Sequence, residues 1–498
     1  MPHRIALASL LLVAACEGRF VTPAPNSNQR VSGAMATKQT PIHRLTNDEY
    51  TNTVQDLLFT NARPGDNFPR SSVGESGYKN DSTALSVSQD WVARALTAAD
   101  DLATAVIASK GTAGGAYAQI APCASGAAGQ ACASDALAAF ATRAYRRPIA
   151  AGSAEHAQLM AAFSAGATFD EGLHDAIVAA LMSPRFLFVA SEPSALDPAL
   201  IDDYTLASRL AYFLWQTMPD EALLAAAASG ALSTPNGLGA EVKRMLQDVK
   251  AVRFAKTLAR EWAGLGNLES SSIAGVDDAL RLAMLQETDL FLQDLLQSER
   301  SFIEVVRGDY SFVNKRLADL YGVTFPATDP ASFQRVSLAG QKRMGIGTQA
   351  SVLTVTAGAP DVTHPVRRGF WVVQRVMCMS PPPPPMDVPP LDPQSGAQSI
   401  RDRLNQHVAS PACNGCHLVM DNVGLALENC GHGITDGNHN GGNFGFPLVL
   451  GGGKALGTKP GNFFVANNGD MSDLLFTISG MLGMGLANFQ GSTKTLSV

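Results

Sequence analysis

Near the end of the chain, Cys413-Asn414-Gly415-Cys416-His417 sets two thiols one helical turn apart, with a histidine directly after the second. That spacing lets both sulfurs form thioethers with the two vinyl groups of a haem while the imidazole lies under the iron as an axial ligand. A covalent ring has to be enclosed by whatever surrounds it, so this pentapeptide constrains the fold more than its length suggests. It is also short enough to arise by chance. Covalent haem attachment takes place outside the cytoplasm, which makes the compartment the first test.

The N-terminus meets that test. His3 and Arg4 precede an apolar run from Ile5 to Ala15 that is too brief to span a bilayer, and Cys16 follows. Val13-Ala14-Ala15-Cys16 resembles a bacterial lipobox. Residues 1–15 are therefore expected to be a signal peptide, Cys16 the lipidated residue, and 16–40, rich in Pro, Ser, Asn and Gly from Thr22 onward, a flexible lipoprotein tether. The plainer alternative is an ordinary signal peptide beside a chance cysteine. The expected location is the periplasm or cell surface, with the membrane touched only through the lipid anchor.

Cysteine usage agrees with export. Of seven cysteines, setting aside Cys16 for lipid and Cys413 and Cys416 for haem leaves Cys123, Cys132, Cys378 and Cys430. An even remainder in an oxidising compartment suggests two disulfides. Cys123 and Cys132 bracket a Gly/Ala/Ser loop and are natural partners, which would leave Cys378 to pair with Cys430. Three connectivities remain open, as do four unpaired buried thiols.

At 498 residues the chain is too long for one core and suggests about three or four domains. Abundant alanine and leucine with few aromatics favour a mainly α, multidomain helical protein with a small c-type haem-binding segment at its C-terminal end. The net charge is −7 with signs interspersed and no lysine/arginine block, so nucleic acid is not an expected partner.

The first folded block is expected at 41–110. Leu45, Tyr50, Val54, Leu57 and Leu58 fall near helical spacing, and Thr46 with Glu49 reads as a capping box. Phe68 to Asn80 reads as a loop, and helical pattern resumes at Leu85. Arg44, Glu49 and Asn52 could carry function; helix-surface polar groups and caps are the plainer account. A small helical domain follows at 120–166. Its Arg143-Ala144-Tyr145-Arg146-Arg147-Pro148 ends a helix, and the arginines are better explained by compensation of the helix C-terminus than by an anion site.

A large helical domain is expected at 167–325, with amphipathic helices through Ala180–Phe188, Leu206–Trp215 and Phe254–Trp262. Glu287 with Asp289, and Glu304 with Asp309, are candidate carboxylate pairs, although solvated helix faces and loops account for them more simply. The segment 332–390 is mixed in character. It holds a Gly- and β-branched-rich stretch from Gly345, a helix opened by Pro365, and the stiff run Pro381 to Pro385. His364 reads as a loop residue rather than a ligand. The last block, 395–498, carries the haem motif. Asp436 to Gly441 matches half of a calcium loop, but Pro447 stands where the bidentate glutamate belongs, so calcium is disfavoured.

Taken in order, these segments resemble a known family. Arg44-Leu45-Thr46-Asn47-Asp48-Glu49-Tyr50 through Leu58 looks like the opening of the planctomycete-type cytochrome c proteins, exported multidomain proteins built largely from domains of unknown function. Arg143 to Pro148, Ser183-Pro184-Arg185-Phe186, Phe312 to Tyr321, Pro365-Val366-Arg367-Arg368-Gly369 and Cys413-x-x-Cys416-His417-x-x-Met420-Asp421-x-x-Gly424-x-x-Leu427-Glu428-Asn429 match successive family segments. The resemblance implies helical domains, export and a c-type haem held by Cys413, Cys416 and His417. Two departures stand out: Cys430-Gly431-His432 replaces the usual aromatic and aspartate, and the stretch after Gly451 is shortened or diverged, as if truncated.

The resemblance carries no defined activity, and no catalytic residue is assigned. Candidates for the sixth ligand are Met471, Met481 and Met484, which would raise the potential, or His432 and His439, which would lower it. Met420, three residues from His417, reads as packing. The leading expectation is an exported lipoprotein with one covalent haem c that transfers electrons, its partner a redox protein or small-molecule donor. A haem-dependent oxidoreductase acting on an extracellular substrate such as a carbohydrate is the second. A non-redox scaffold with a Cys413–Cys416 disulfide is the third.

Overall fold

The computed structural model describes residues 42–379, apart from 71–73, 75–76, 126–128, 191–200, 271–275, 299, 342, 358–363 and 378. Beyond these it describes Leu404, His417, Met420, Asp421, 423–425, Leu427, 447–448 and 464–465. The leader, Cys16, the proline run, Cys378, Cys413, Cys416, Cys430, the 436–441 segment and the candidate sixth ligands lie outside the described residues. The chain is mainly α and divides into two compact units, one within Thr22–Glu261 and the other within Trp262–Val498.

In the first unit, β1 (His43–Arg44) leads into α1 (Asn47–Leu58). The capping box is formed: Glu49 N–H donates to Thr46 Oγ1 at 3.1 Å, and Thr46 N–H donates to the Glu49 carboxylate at 2.8 Å. Then come α2 (Gln89–Ala108), α3 (Ala116–Ile120), α4 (Gln130–Ala144), α5 (Ala154–Ala165), α6 (Phe169–Leu181) and α7 (Pro184–Leu187). α2 begins four residues later than the hydrophobic pattern from Leu85 suggests, because Ser88 caps Trp91 N–H and fixes the first turn. β2 (Phe188–Val189) returns to pair antiparallel with β1, His43 opposite Val189. The unit continues through α8 (Asp203–Trp215), α9 (Glu221–Ala228), α10 (Pro235–Gln247) and α11 (Val252–Thr257). The helix expected through Trp262 changes at Leu258 into a π-helical turn.

One hydrophobic core runs through this unit from Leu45 on α1 to Met218 after α8, and includes Trp91, Leu137, Phe186 and Tyr212. The expected Cys123–Cys132 disulfide is present and ties the loop before α4 to that helix.

The second unit contains α12 (Asp278–Gln297), α13 (Glu304–Arg307), β3 (Tyr310–Val313), α14 (Lys315–Tyr321), β4 (Gln334–Ser337), α15 (Ala350–Val355) and α16 (Pro365–Trp371). β3 and β4 form an antiparallel ribbon with Tyr310 opposite Ser337. Two short strands, β5 (Pro447–Leu448) and β6 (Phe464–Val465), pair antiparallel. α16 runs on into a π-helical turn, Val372–Val376. Two indoles tie this element down: Trp371 Nε1–H donates to the Ala263 carbonyl at 2.8 Å and Trp262 Nε1–H to the Arg375 carbonyl at 2.9 Å. Among the described residues no helix is long and apolar enough to cross a membrane.

Candidate functional site

The described part of the C-x-x-C-H segment is a helical stretch at His417, Met420, Asp421, 423–425 and Leu427. It docks on α16. Pro365 occupies the first turn of α16, where its missing N–H costs nothing, and His364 caps that turn by accepting from Arg367 N–H at 3.3 Å. His364, expected as a loop residue, is thus an N-cap. Docking is close because both surfaces present glycine. A Cβ on Gly369 would sit 1.8 Å from the Met420 carbonyl oxygen, and one on Gly424 would sit 1.8 Å from the Pro365 carbonyl oxygen. Only two bare backbones can approach this far. Met420 is buried in the seam, and Arg368, beside Gly369, is only 1% exposed.

The seam fixes the setting of His417. One turn along the helix, both carboxylate oxygens of Asp421 lie against His417 Nδ1, at 3.0 and 3.1 Å. Asp421 is buried, and the His417 side chain is partly so. A carboxylate only accepts, so the contact places the ring proton on Nδ1. Were a haem bound at this segment, His417 would be its iron ligand and Cys413 and Cys416, which lie outside the described residues, would hold the ring. Asp421 carries no role in the sequence reading. Its spacing of four residues from a candidate ligand on a helix is the signal that could have found it.

Several charged residues part from expectation. Arg44 and Glu49, expected at a helix surface, are both buried. The Arg44 guanidinium stacks over the Trp91 ring, 4.4 Å from its centroid, and donates to the Leu45 carbonyl. α1 is not an edge element; it lies in the core, so its cap is enclosed with it. Burial pushes the Glu49 carboxyl up to about 7, against the opposing effect of its bonds to Thr46. Glu287 departs further, for it is fully buried on α12 rather than solvated. It accepts from Ser311 Oγ at 2.6 Å and Tyr321 Oη at 2.7 Å, and burial raises it to about 7. Asp289 is buried too, but lies two residues along the helix and so points away from Glu287; Glu304 pairs with Arg307 at 3.0 Å, and Asp309 is exposed. Neither candidate carboxylate pair forms. Among the described residues no cluster of three His, Cys, Asp or Glu could hold a metal ion.

These raised values have a consequence for stability. An unfolded glutamate titrates near 4.5, and the buried ones near 7. Between those values the folded state binds more protons than the unfolded chain, so stability falls as pH rises through that window. Each glutamate contributes a loss on the order of 3 kcal/mol between pH 4.5 and 7. Glu49→Gln and Glu287→Gln should each flatten the pH dependence of urea unfolding in their own unit. Slopes identical to the parent's would contradict the assignment.

The arginines after α4 do not compensate a helix terminus as expected, apart from Arg143 in its last turn. Arg146 adopts φ 60°, which turns its side chain inward. Its guanidinium donates to the carbonyls of Arg185 (2.6 Å), Phe186 (3.0 Å) and Phe188 (2.8 Å) and to Tyr212 Oη (3.1 Å). Tyr212 Oη in turn lies 3.1 Å from Thr53 Oγ1 on α1. Arg146 therefore clamps α1, the α7–β2 turn and α8. A cleft of about 430 Å³ beside it is lined by Arg146, Arg147 and Arg185. Arg147 pairs with Asp202 and Arg185 with Glu155, so these cations are engaged within the protein.

The fold and site define a mainly α, multidomain protein in which two distant motifs meet at a glycine seam, with a histidine–carboxylate pair on one of them. Four family models match along it, each described as a protein of unknown function: PSD3 (DUF1587) at 43–108, PSD5 (DUF1595) at 132–190, PSD4 (DUF1592) at 201–323 and PSCyt3 (DUF1588) at 343–433. The chain belongs to the planctomycete cytochrome-c-associated proteins built from these domains. No curated protein and no solved structure matches it. The PSCyt3 match takes in both α16 and the His417 stretch, the two partners of the glycine seam.

Proposed function

We propose that this chain is an exported, lipid-anchored c-type cytochrome that passes single electrons between redox partners. The observation that supports the reading is the buried Asp421 carboxylate against Nδ1 of His417, which orients the imidazole that follows Cys413 and Cys416 in the C-x-x-C-H sequence. When bound, the haem would supply a one-electron ferric/ferrous couple. Cys413 and Cys416 would hold the ring by two thioethers, while Asp421 orients the imidazole and Gly369 and Gly424 lock the helix. The Cys123–Cys132 disulfide supports an oxidising compartment, in line with a signal peptide at 1–15 and lipidation at Cys16.

The test is a pyridine haemochrome spectrum of the full chain expressed with a haem-attachment system. One covalent haem per chain is expected, and it should be lost in Cys413→Ser with Cys416→Ser. Protein that is folded and free of haem absorbance would overturn the proposal and favour the scaffold reading.

A further inference from the structure

We infer that the cleft beside Arg146 is a binding site for a neutral, polyhydroxylated ligand the size of a mono- or disaccharide. The inference is independent of the haem reading, for every residue it uses lies in the first unit. The cleft holds about 430 Å³, within the range of small-ligand sites. Its lining is of two chemical kinds. Ile42 before β1, Pro184 of α7, and Phe188, Val189 and Ala190 along and just after β2 supply apolar surface. Tyr204 and Ser208 on α8 supply hydroxyls, and their spacing of four residues puts them on one helix face. Arg146 braces both kinds of lining, since it donates to the carbonyls of Arg185, Phe186 and Phe188 and also to Tyr212 Oη of α8.

The hydroxyls carry the argument. Ser208 is only 7% exposed, and neither its hydroxyl nor that of Tyr204 makes a hydrogen bond among the described residues. An enclosed hydroxyl that the fold does not use is costly to keep unless something else completes it. Each can donate to and accept from a ligand hydroxyl. The charges argue for a neutral ligand. Arg147 already pairs with Asp202 and Arg185 with Glu155, so an anion would have to compete with carboxylates in place. A sugar ring meets both kinds of lining at once: its C–H face lies on the apolar side chains, and its rim of hydroxyls reaches Tyr204 and Ser208.

The test is saturation-transfer NMR on the full chain, titrated to a dissociation constant. The neutral probes are D-glucose, D-galactose, D-mannose and cellobiose. D-glucuronate is the anionic probe, and cyclohexanol is a ring with a single hydroxyl. At least one neutral sugar should bind saturably and more tightly than D-glucuronate or cyclohexanol. Ser208→Ala and Tyr204→Phe should each weaken that sugar about fivefold, the effect of one lost hydrogen bond, with the parent's unfolding midpoint kept. Ala190→Trp, which fills the cleft, should abolish binding. If a variant loses the parent's midpoint, the ranking of probes on the parent protein decides alone. No saturable binding by any neutral sugar overturns the inference, as does tighter binding of D-glucuronate or cyclohexanol. Sugar binding unchanged in all three folded variants would lie elsewhere on the chain and overturns it too.

Discussion

Gly424→Ala is expected to undock the helical stretch that follows Cys416 from α16. The added methyl would lie 1.8 Å from the Pro365 carbonyl oxygen, 2.6 Å from the Pro365 carbonyl carbon and 2.9 Å from Gly369 N. All three atoms are backbone, so no side chain can rotate aside and one helix must shift bodily. Overpacking of this kind costs about 1–3 kcal/mol where a core can relax, and should reach the upper end or beyond between two backbones. Gly369→Ala should do the same through Met420. Gly239→Ala on α10 is the control: a methyl there meets nothing within 4 Å, and a helical Gly→Ala change stabilises by about 0.5–1 kcal/mol. Hydrogen exchange should report lost protection across Pro365–Trp371 in the two seam variants and parent protection in the control. A Gly424→Ala protein as well protected as Gly239→Ala would refute the seam.

The second large effect is expected at Arg146. Arg146→Ala removes four hydrogen bonds from a side chain that is 4% exposed, leaving three carbonyls and the Tyr212 hydroxyl without this donor. Breaking a buried, charge-assisted set of this kind costs about 3–5 kcal/mol. Arg146→Lys should recover little, because a single ammonium cannot span carbonyls that a planar fork reaches together. Arg146→Gly should be milder than Arg146→Ala by about 1 kcal/mol, since glycine adopts the φ of 60° without strain. Urea unfolding followed by the fluorescence of Trp91 and Trp215, both buried in the same unit, measures all three. An Arg146→Ala midpoint equal to the parent's would mean that the clamp carries no weight.

Local features were legible from the residues. The Thr46/Glu49 capping box, the α8 helix of Leu206–Trp215, the start of α16 at Pro365 and the Cys123–Cys132 bridge all depend on neighbours within one or two turns or one short loop. Burial was harder to read. Glu49, Glu287 and Arg146 are polar and belong on a surface by composition, yet each is enclosed. Their partners come from far along the chain: Ser311 and Tyr321 for Glu287, and Phe186 and Tyr212 for Arg146. No local pattern marks such a residue, because its burial is decided by what arrives to satisfy it.

The C-x-x-C-H pentapeptide and its histidine are written in the sequence, as are the helical class and the order of segments that marks the family. Bond-forming chemistry and helix propensity depend on residue type and short spacing, which a sequence contains in full. The tertiary structure alone decided that Pro365 to Gly369 and Met420 to Gly424 belong together. Two glycines some fifty residues apart acquire meaning only when two backbones meet, and that meeting encloses Asp421 beside His417.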